Sequence, residues 1–446
     1  MLRQALMGAA AIAAFALPAT AETVAVTHAR ILTAGPAGEI AQGTLVLRDG
    51  KIVAVGANVA VPAGARVIDA AGGVVTPGFF ATDSVLGAQE VGSLGSDLRV
   101  SNPALGAAMD VQYGLNPAST LIPVARLGGL TSAIVMPHAS GGGGEADEGD
   151  EMTSGGAPDS DPSHALFAGQ AAVVTLGQGP DILAKAKVAM VVPFGQAGAK
   201  IAGGARGAEF VAFKAALQDV RDYARNKAGY DKGESRALSL SKADLEALIP
   251  VVQGRMPIIA EVHRAADILA VLKLAKEENL KVILNGAEEG WMVAADIAKA
   301  GVPVLVYPLS DRSVSFEQLG STLDNAGRLA AAGVVVAIES DDGGHRARET
   351  RYDAGNAVSH GMAYAAALAA VTINPAKIFG VADRTGSIEP GKDADVVIWT
   401  GDPFEPLSQA SAIFVRGVQQ PMTSRQLELR DRYKDLNRAL PPAYSH

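Results

Sequence analysis

Four polar residues of this chain follow short apolar runs that are typical of buried strands: Asp83, His263, Asn285 and Asp341. A carboxylate at such a position can take a proton from water, and an imidazole can transfer a proton or bind a metal ion. An amide hydrogen-bonds well but is a weak metal ligand. Asp83, His263 and Asp341 are therefore candidates for general acid–base chemistry, with Asn285 as a hydrogen-bonding neighbour.

Each candidate also has a structural explanation, and the residues alone leave both explanations open. His263 lies between a predicted strand and a predicted helix, where it could simply hydrogen-bond to the loop backbone. Asp341 begins the segment Asp341-Asp342-Gly343-Gly344, whose composition strongly favours a turn. Asp83 could be a structural hydrogen-bond acceptor.

Alternating strand and helix patterns surround these candidates. Predicted strands over 257–262, 281–284, 302–307 and 334–338 alternate with predicted helices over 265–278, 291–299, 321–332 and 354–370. This order is typical of βα units around a parallel sheet. The region between 77 and 381 has room for an eight-stranded barrel, with an open doubly wound sheet as the alternative. In a barrel, the carboxyl ends of the strands would bring the candidates to one mouth.

The segments that flank this region are rich in predicted strands. Residues 23–75 consist of short apolar or alternating runs separated by turns, and further strands are predicted over 396–399 and 412–415. We expect the two flanks to combine into one small β-sandwich. The expected organisation is a signal peptide (1–21), the N-terminal segment of the sandwich (22–75), a barrel (76–381), the C-terminal segment of the sandwich (382–423) and a charged tail (424–446).

An acid-rich segment interrupts the barrel at residues 140–162. It holds seven Asp and Glu residues with no Lys or Arg, beside several glycines. Low hydrophobicity and like-sign charge predict a mobile loop, and no spaced ligand pattern for Ca²⁺ is present. The net charge of −9 argues against nonspecific nucleic-acid binding. We expect a small-molecule ligand or substrate, and homo-oligomerisation is left open.

The first 21 residues have the pattern of a secretory signal. Arg3 is followed by the apolar run 9–17 and by Ala19-Thr20-Ala21, an Ala-x-Ala cleavage site. The run is shorter than the roughly 20 apolar residues that cross a bilayer, so no membrane span is expected in the mature protein. The sequence has no cysteine, which fits an oxidising compartment. We therefore predict export to the periplasm.

Two motifs at opposite ends of the predicted barrel resemble the amidohydrolase superfamily. Thr76-Pro77-Gly78-Phe79 resembles its first barrel strand. The segment 372–380, followed by 386–395, is similar to the closing helix and sandwich return of imidazolonepropionase-like members. Middle segments such as 167–170 and 263–268 look like an exported branch. The resemblance implies an α/β fold with a (β/α)8 TIM-like barrel and a small β-sandwich.

The resemblance also implies a divalent metal held by histidines and carboxylates at the barrel mouth. The family's His-x-His pair is replaced here by Asp83 and Val85, and its second later histidine by Asn285. His263 matches one of the remaining ligands, and Asp341 or Asp342 matches the other, with Asp341 aligning better, while no bridging Lys or Glu can be placed. Zinc or manganese held by His263 and Asp341 is one expectation, and a site without metal is the other.

Five further residues complete the candidate set. His138 and His345 are replacement ligands if they reach the mouth, although each also fits an exposed loop histidine. The resemblance places Glu288, Glu289 and Trp291, which follow Asn285, where substrate contacts are expected; surface charge and core packing are their structural explanations.

Two functions are consistent with this set. The first is hydrolysis of non-peptide carbon–nitrogen bonds, in which Asp341 is the general base and His263 binds metal or polarises the substrate carbonyl. Asp83, Asn285, Glu288 and Trp291 would then contact the substrate or position water. The alternative is a catalytically inactive, small-molecule-binding pseudoenzyme. A hydrolase with a Ser or Cys nucleophile has no Gly-x-Ser-x-Gly motif and no cysteine to support it.

Overall fold

Two eight-stranded sheets organise the chain in a computed structural model that describes residues 22–90, 97–139, 165–339, 344–435 and 437. The strands are β1 (Val24–Leu32), β2 (Glu39–Arg48), β3 (Lys51–Gly56), β4 (Arg66–Asp69), β5 (Val74–Pro77), β6 (Phe79–Ser84), β7 (Leu130–Val135), β8 (Gly169–Thr175), β9 (Leu183–Pro193), β10 (Ile258–Val262), β11 (Val282–Gly286), β12 (Val304–Val306), β13 (Val336–Ile338), β14 (Val396–Trp399), β15 (Ala410–Val415) and β16 (Val418–Gln419).

The α-helices lie mostly between barrel strands. They are α1 (Leu121–Leu127), α2 (Gln196–Ile201), α3 (Arg206–Arg225), α4 (Lys227–Asp231), α5 (Lys242–Val252), α6 (Ala265–Glu278), α7 (Ala294–Ala300), α8 (Asn325–Ala331), α9 (Thr350–Ser359), α10 (Tyr364–Ala370), α11 (Ile373–Ile378) and α12 (Arg425–Tyr433). The predicted helix over 354–370 is two helices, α9 and α10. That over 291–299 begins as a 3-10 turn at Gly290–Val293.

The first sheet joins the two ends of the described chain. Its order is β16-β15-β14-β5-β1-β2-β3, with β4 beside β1. Strand β14 pairs antiparallel with β5, so that Val396 lies opposite Pro77 and Trp399 opposite Val74. The N-terminal and C-terminal β segments therefore share one sheet, as the sequence predicts.

The second sheet is a nearly closed barrel in which β6 to β13 follow one another in chain order. A bridge between Thr82 and Glu339 connects its first and last strands. The Thr82 hydroxyl also donates to the carbonyl of Ile338 at 2.7 Å. The predicted α/β fold, a TIM-like barrel with a separate β-sheet, is confirmed.

Strand β8 departs from the all-parallel arrangement of a (β/α)8 barrel. It pairs antiparallel with both β7 and β9, while the other adjacent barrel strands pair in parallel. Residues 176–182 alone join β8 to β9. Such a short connection permits an antiparallel hairpin but not a parallel crossover, which needs a dozen or more residues.

Helix α6 illustrates how the sequence builds the outer layer. Ile268, Val271, Leu274 and Ala275 recur at helical spacing and are buried, so this face packs on the barrel. The helix ends at Asn279, which has a left-handed conformation (φ 54°) that asparagine tolerates better than most residues. The chain is thereby turned into β11.

Within the described ranges, no helix combines the length and the apolar character needed to cross a membrane. The predicted signal segment 1–21 and the acid-rich segment 140–162 lie outside those ranges.

Candidate functional site

Asp83 and Asn285 form a direct hydrogen bond between two non-adjacent barrel strands. Asp83 is near the carboxyl end of β6, where the β6–β7 register shifts and its own φ is 50°. Asn285 is the penultimate residue of β11 and is buried. The Asn285 amide donates to the Asp83 carboxylate at 3.0 Å. Two of the predicted candidates therefore meet across the barrel mouth.

His263 and Glu288 form a close pair at the same end of the barrel. His263 follows β10 directly, and its Nδ1 lies 2.7 Å from Oε2 of Glu288. The His263 side chain is 32% exposed and that of Glu288 is 10% exposed. The pair thus lies at the solvent boundary, with the carboxylate deeper than the imidazole.

The two partners hold each other in the charged form. Burial by itself would lower the pKa of His263, but the charge and hydrogen bond of Glu288 outweigh it and raise this pKa to about 9. Burial would conversely raise the pKa of Glu288, but His263 outweighs it and lowers that pKa. The pair is therefore imidazolium and carboxylate at neutral pH.

Gly286, the last residue of β11, has no side chain to separate the backbone from this pair. A Cβ at this position would lie 2.7 Å from Nδ1 of His263, and the φ of Gly286 is +85°. Both observations require glycine here. Its N–H donates to Oε1 of Glu339 at 3.1 Å.

Glu339 is a buried acid that the sequence patterns did not single out. It follows β13 directly and is 8% exposed. Burial, and next the negative charge of Asp83, raise the pKa of Glu339 well above its usual value. Its position at a strand end was a usable signal, but the family resemblance favours Asp341, two residues later.

A long loop between β12 and α8 donates hydrogen bonds to Glu288 and Glu289, the two acids that follow β11. The Gln318 amide donates to Oε1 of Glu288 at 2.8 Å. Glu289 accepts from the Gly320 N–H at 3.1 Å and from the Ala265 N–H at 2.9 Å. Gln318 is a second residue that the sequence did not indicate, because it lies in a loop with no periodic pattern.

Trp291, predicted as a substrate contact, lies against this loop. Its indole N–H donates to the carbonyl of Gly320 at 2.8 Å. The guanidinium of Arg328 lies over its ring, 4.4 Å from the centroid. These contacts support the loop, and substrate contact by Trp291 stays a prediction.

The remaining sequence candidates either make other contacts or are not among the residues that the structure describes. Asp341 and Asp342 lie outside the described residues. His138 is partly buried, and its backbone N–H donates to the carbonyl of Leu98 at 2.9 Å. His345 is exposed, and Val85 is buried in the apolar core.

The described residues do not fit the metal clamp that the family resemblance implies. Across the described ranges, no three His, Asp or Glu side chains are grouped so that they could hold a metal ion. Glu288 occupies Nδ1 of His263, and Asn285 presents its amide N–H to Asp83. Metal ligation by His263 with Asp341 therefore stays a prediction.

Known proteins resemble this chain in both sequence and fold. Residues 227–424 match the model of the Amidohydrolase family. Amidohydrolase tasK of Hapsidospora irregularis is 25% identical over 179 residues, which make up 39% of this chain and 18% of that protein. The chain thus spans less than a fifth of that relative's length.

Two solved structures share the fold over most of the chain. An amidohydrolase from Thermotoga maritima MSB8 has a TM-score of 0.76 and 24% identity, covering 90% of this chain and 100% of that one. Molinate hydrolase has a TM-score of 0.52 and 17% identity, covering 90% and 95%. Residues 227–424, which contain His263, Asn285 and Glu288, therefore resemble the Amidohydrolase family in sequence, and the chain shares the fold of a solved amidohydrolase.

Proposed function

We propose that this protein is an exported hydrolase of the amidohydrolase superfamily that cleaves non-peptide carbon–nitrogen bonds. The family match and the barrel support hydrolysis, and they do not favour the pseudoenzyme alternative. One observation carries the proposal furthest: the charged His263–Glu288 pair at the mouth, partly open to solvent.

In this proposal the imidazolium of His263 stabilises the negative charge that develops during the reaction. Attack of water on an amide carbonyl places negative charge on the carbonyl oxygen, and a positioned cationic donor stabilises that charge. Glu288 occupies Nδ1, so Nε2 is the ring atom that faces the substrate. Glu288 also keeps the pKa of His263 high, so the imidazole enters the reaction protonated.

The Asp83 carboxylate orients the attacking water. Asn285 fixes the orientation of this carboxylate by donating to Oδ2 at 3.0 Å. A carboxylate oxygen can accept more than one hydrogen bond, so the group can position water beside the carbonyl. Asp341 takes the proton from this water as general base; its alignment with the family's last acidic ligand supports that role.

A substrate screen tests the proposal. Purified protein without residues 1–21 is incubated with lactams, cyclic imides, amidines and aryl amides, and products are detected by mass spectrometry. We expect turnover of at least one class and a loss of about 10²-fold or more in kcat/KM for Asp341→Asn. Asp342→Asn is the matched control.

Two results would contradict the proposal. Absence of turnover across the panel, together with saturable binding of the same compounds by thermal shift, would favour the pseudoenzyme. Equal activity of Asp341→Asn and wild type would remove Asp341 as the base. Metal analysis of the same preparation decides separately whether zinc or manganese is bound.

Export is tested separately by cell fractionation. The full chain is expected in the periplasmic fraction, and a chain without residues 1–21 in the cytoplasmic fraction. If both chains were distributed equally between the two fractions, residues 1–21 would not act as a signal peptide.

A further inference from the structure

The loop between β12 and α8, residues 307–324, reaches into the site through one side chain. Gln318 donates from Nε2 to Oε1 of Glu288 at 2.8 Å. The other oxygen of the same carboxylate, Oε2, lies 2.7 Å from Nδ1 of His263. Both oxygens of Glu288 are thus engaged, and the carboxylate cannot rotate without breaking one of the two contacts.

The residues on either side of Gln318 are anchored independently. Glu317 is buried, accepts from the Gln196 N–H at 2.8 Å and forms an ion pair with Arg206. Gly320 donates its N–H to Glu289 and accepts from the Trp291 indole. These anchors fix the loop to α2, α3 and the segment after β11, so Gln318 is presented on a rigid support.

We propose that Gln318 is a positioning residue that holds Glu288 in the orientation in which it faces His263. This assignment rests on the proposed function. Gln318 acts through Glu288, since its amide donates to the carboxylate and not to the imidazole. A displaced Glu288 would leave the imidazole less firmly oriented, and misplacement by about 1 Å can cost roughly 10²-fold in rate.

A second interpretation is that Gln318 merely packs the loop. The two interpretations differ in what Gln318→Met does, because methionine has nearly the same length but no N–H to donate and no charge. Loss of the donor alone should disturb Glu288, whereas a packing role should tolerate the substitution.

The test compares Gln318→Ala and Gln318→Met in the full chain with Gln218→Ala. Gln218 is a matched control, because its amide also donates to a carboxylate, that of Asp222, at 2.8 Å on the exposed face of α3. We expect both Gln318 variants to lower kcat about tenfold or more with little change in KM. Gln218→Ala should match the wild type.

A readout that needs no turnover keeps this inference separate from the proposed function. The chain has seven histidines, so each imidazole can be followed by NMR and His263 assigned with His263→Asn. We expect Gln318→Ala to lower the titration midpoint of His263 by about one unit, because Glu288 is no longer held against it.

The outcomes separate the two claims. A shifted His263 midpoint with no turnover in any protein supports the positioning role and removes the hydrolase. Turnover with unchanged kcat and an unchanged His263 midpoint in both Gln318 variants overturns the positioning role and leaves the hydrolase intact.

Discussion

Two histidine–carboxylate pairs occur among the residues that the structure describes, and they differ in what surrounds them. His28 and Asp69 lie on the first sheet, 3.1 Å apart, with side chains 62% and 60% exposed. His263 and Glu288 lie at the barrel mouth, 2.7 Å apart, at 32% and 10% exposure. Water competes for the first pair and is largely excluded from the carboxylate of the second. The attraction between imidazole and carboxylate is therefore weak in the exposed pair and strong in the pair at the barrel mouth.

Removing the imidazole of each pair in turn should give the largest difference between the pairs, a difference in kcat/KM. His263→Asn is expected to lower kcat/KM about 10²–10³-fold, because the donor to the developing oxyanion is lost. His28→Asn should leave it unchanged. Steady-state kinetics on a substrate from the screen provides the measurement, and comparable losses in both variants would refute the assignment of His263.

Removal of each carboxylate should separate the pairs in stability. Glu288→Gln is expected to lower the free energy of unfolding by about 1–3 kcal/mol, since it removes the negative charge that faces a partly buried imidazolium. Asp69→Asn should leave the urea midpoint nearly unchanged, because both partners remain in water. Urea unfolding followed by circular dichroism measures both; a small effect of Glu288→Gln would mean that the mouth pair is solvated.

The pH dependence of stability should sharpen the contrast further. The pKa of His263 is raised to about 9, so its contribution is complete below the unfolded value of 6.5 and is lost as pH rises through 9. The pKa of Glu288 is lowered, so its contribution is present above the ordinary value of 4.5 and is lost as pH falls through the folded value.

The mouth pair is therefore expected to stabilise the fold most between about pH 4.5 and 6.5. The difference in free energy of unfolding between wild type and His263→Asn, measured by urea titration from pH 4 to pH 10, should peak in that window. A flat profile for His263→Asn would show that its pKa is not raised.

Glu339→Gln should leave stability nearly unchanged near pH 4.5 and differ from the wild type only at higher pH. The native state favours the neutral form of Glu339, because its pKa is raised, so native stability falls as pH rises above the ordinary value of 4.5. Glutamine resembles the neutral acid and should flatten this decline. Urea unfolding at pH 6 and pH 9 is the measurement, and a strong loss of stability at both would indicate that the ionised carboxylate is required.

The strand ends were the most predictable region of the site. Apolar runs before His263 and Asn285 located the carboxyl ends of β10 and β11, and parallel barrel strands bring such ends to one mouth. The approach of Asp83 to Asn285 follows from the same rule. Glu339 also lies directly after a barrel strand. It was not predicted because the nearby Asp341 and Asp342 match the family resemblance better.

Other features could not be predicted because their causes are not local. The apolar run of β8 has the same pattern whichever way the strand runs, so its antiparallel direction depends on the connections around it. Gln318 lies in a loop whose course is set by contacts with α2, α3 and Trp291, all distant in sequence. The pairing of His263 with Glu288 likewise depends on Gly286, where a side chain would meet the imidazole.

The pairing of β14 with β5 has a consequence for the order in which the molecule can assemble. Trp399 donates its indole N–H to the Thr76 hydroxyl at 2.9 Å and stacks on Phe79, at 5.5 Å between ring centroids. Phe79 is the first residue of β6, the strand that carries Asp83. Because Thr76 and Trp399 are more than 300 residues apart, a ribosome must complete most of the chain before this contact can form. The start of the first barrel strand therefore gains its support from β14 only late in synthesis, although it is among the earliest parts of the barrel to be synthesised.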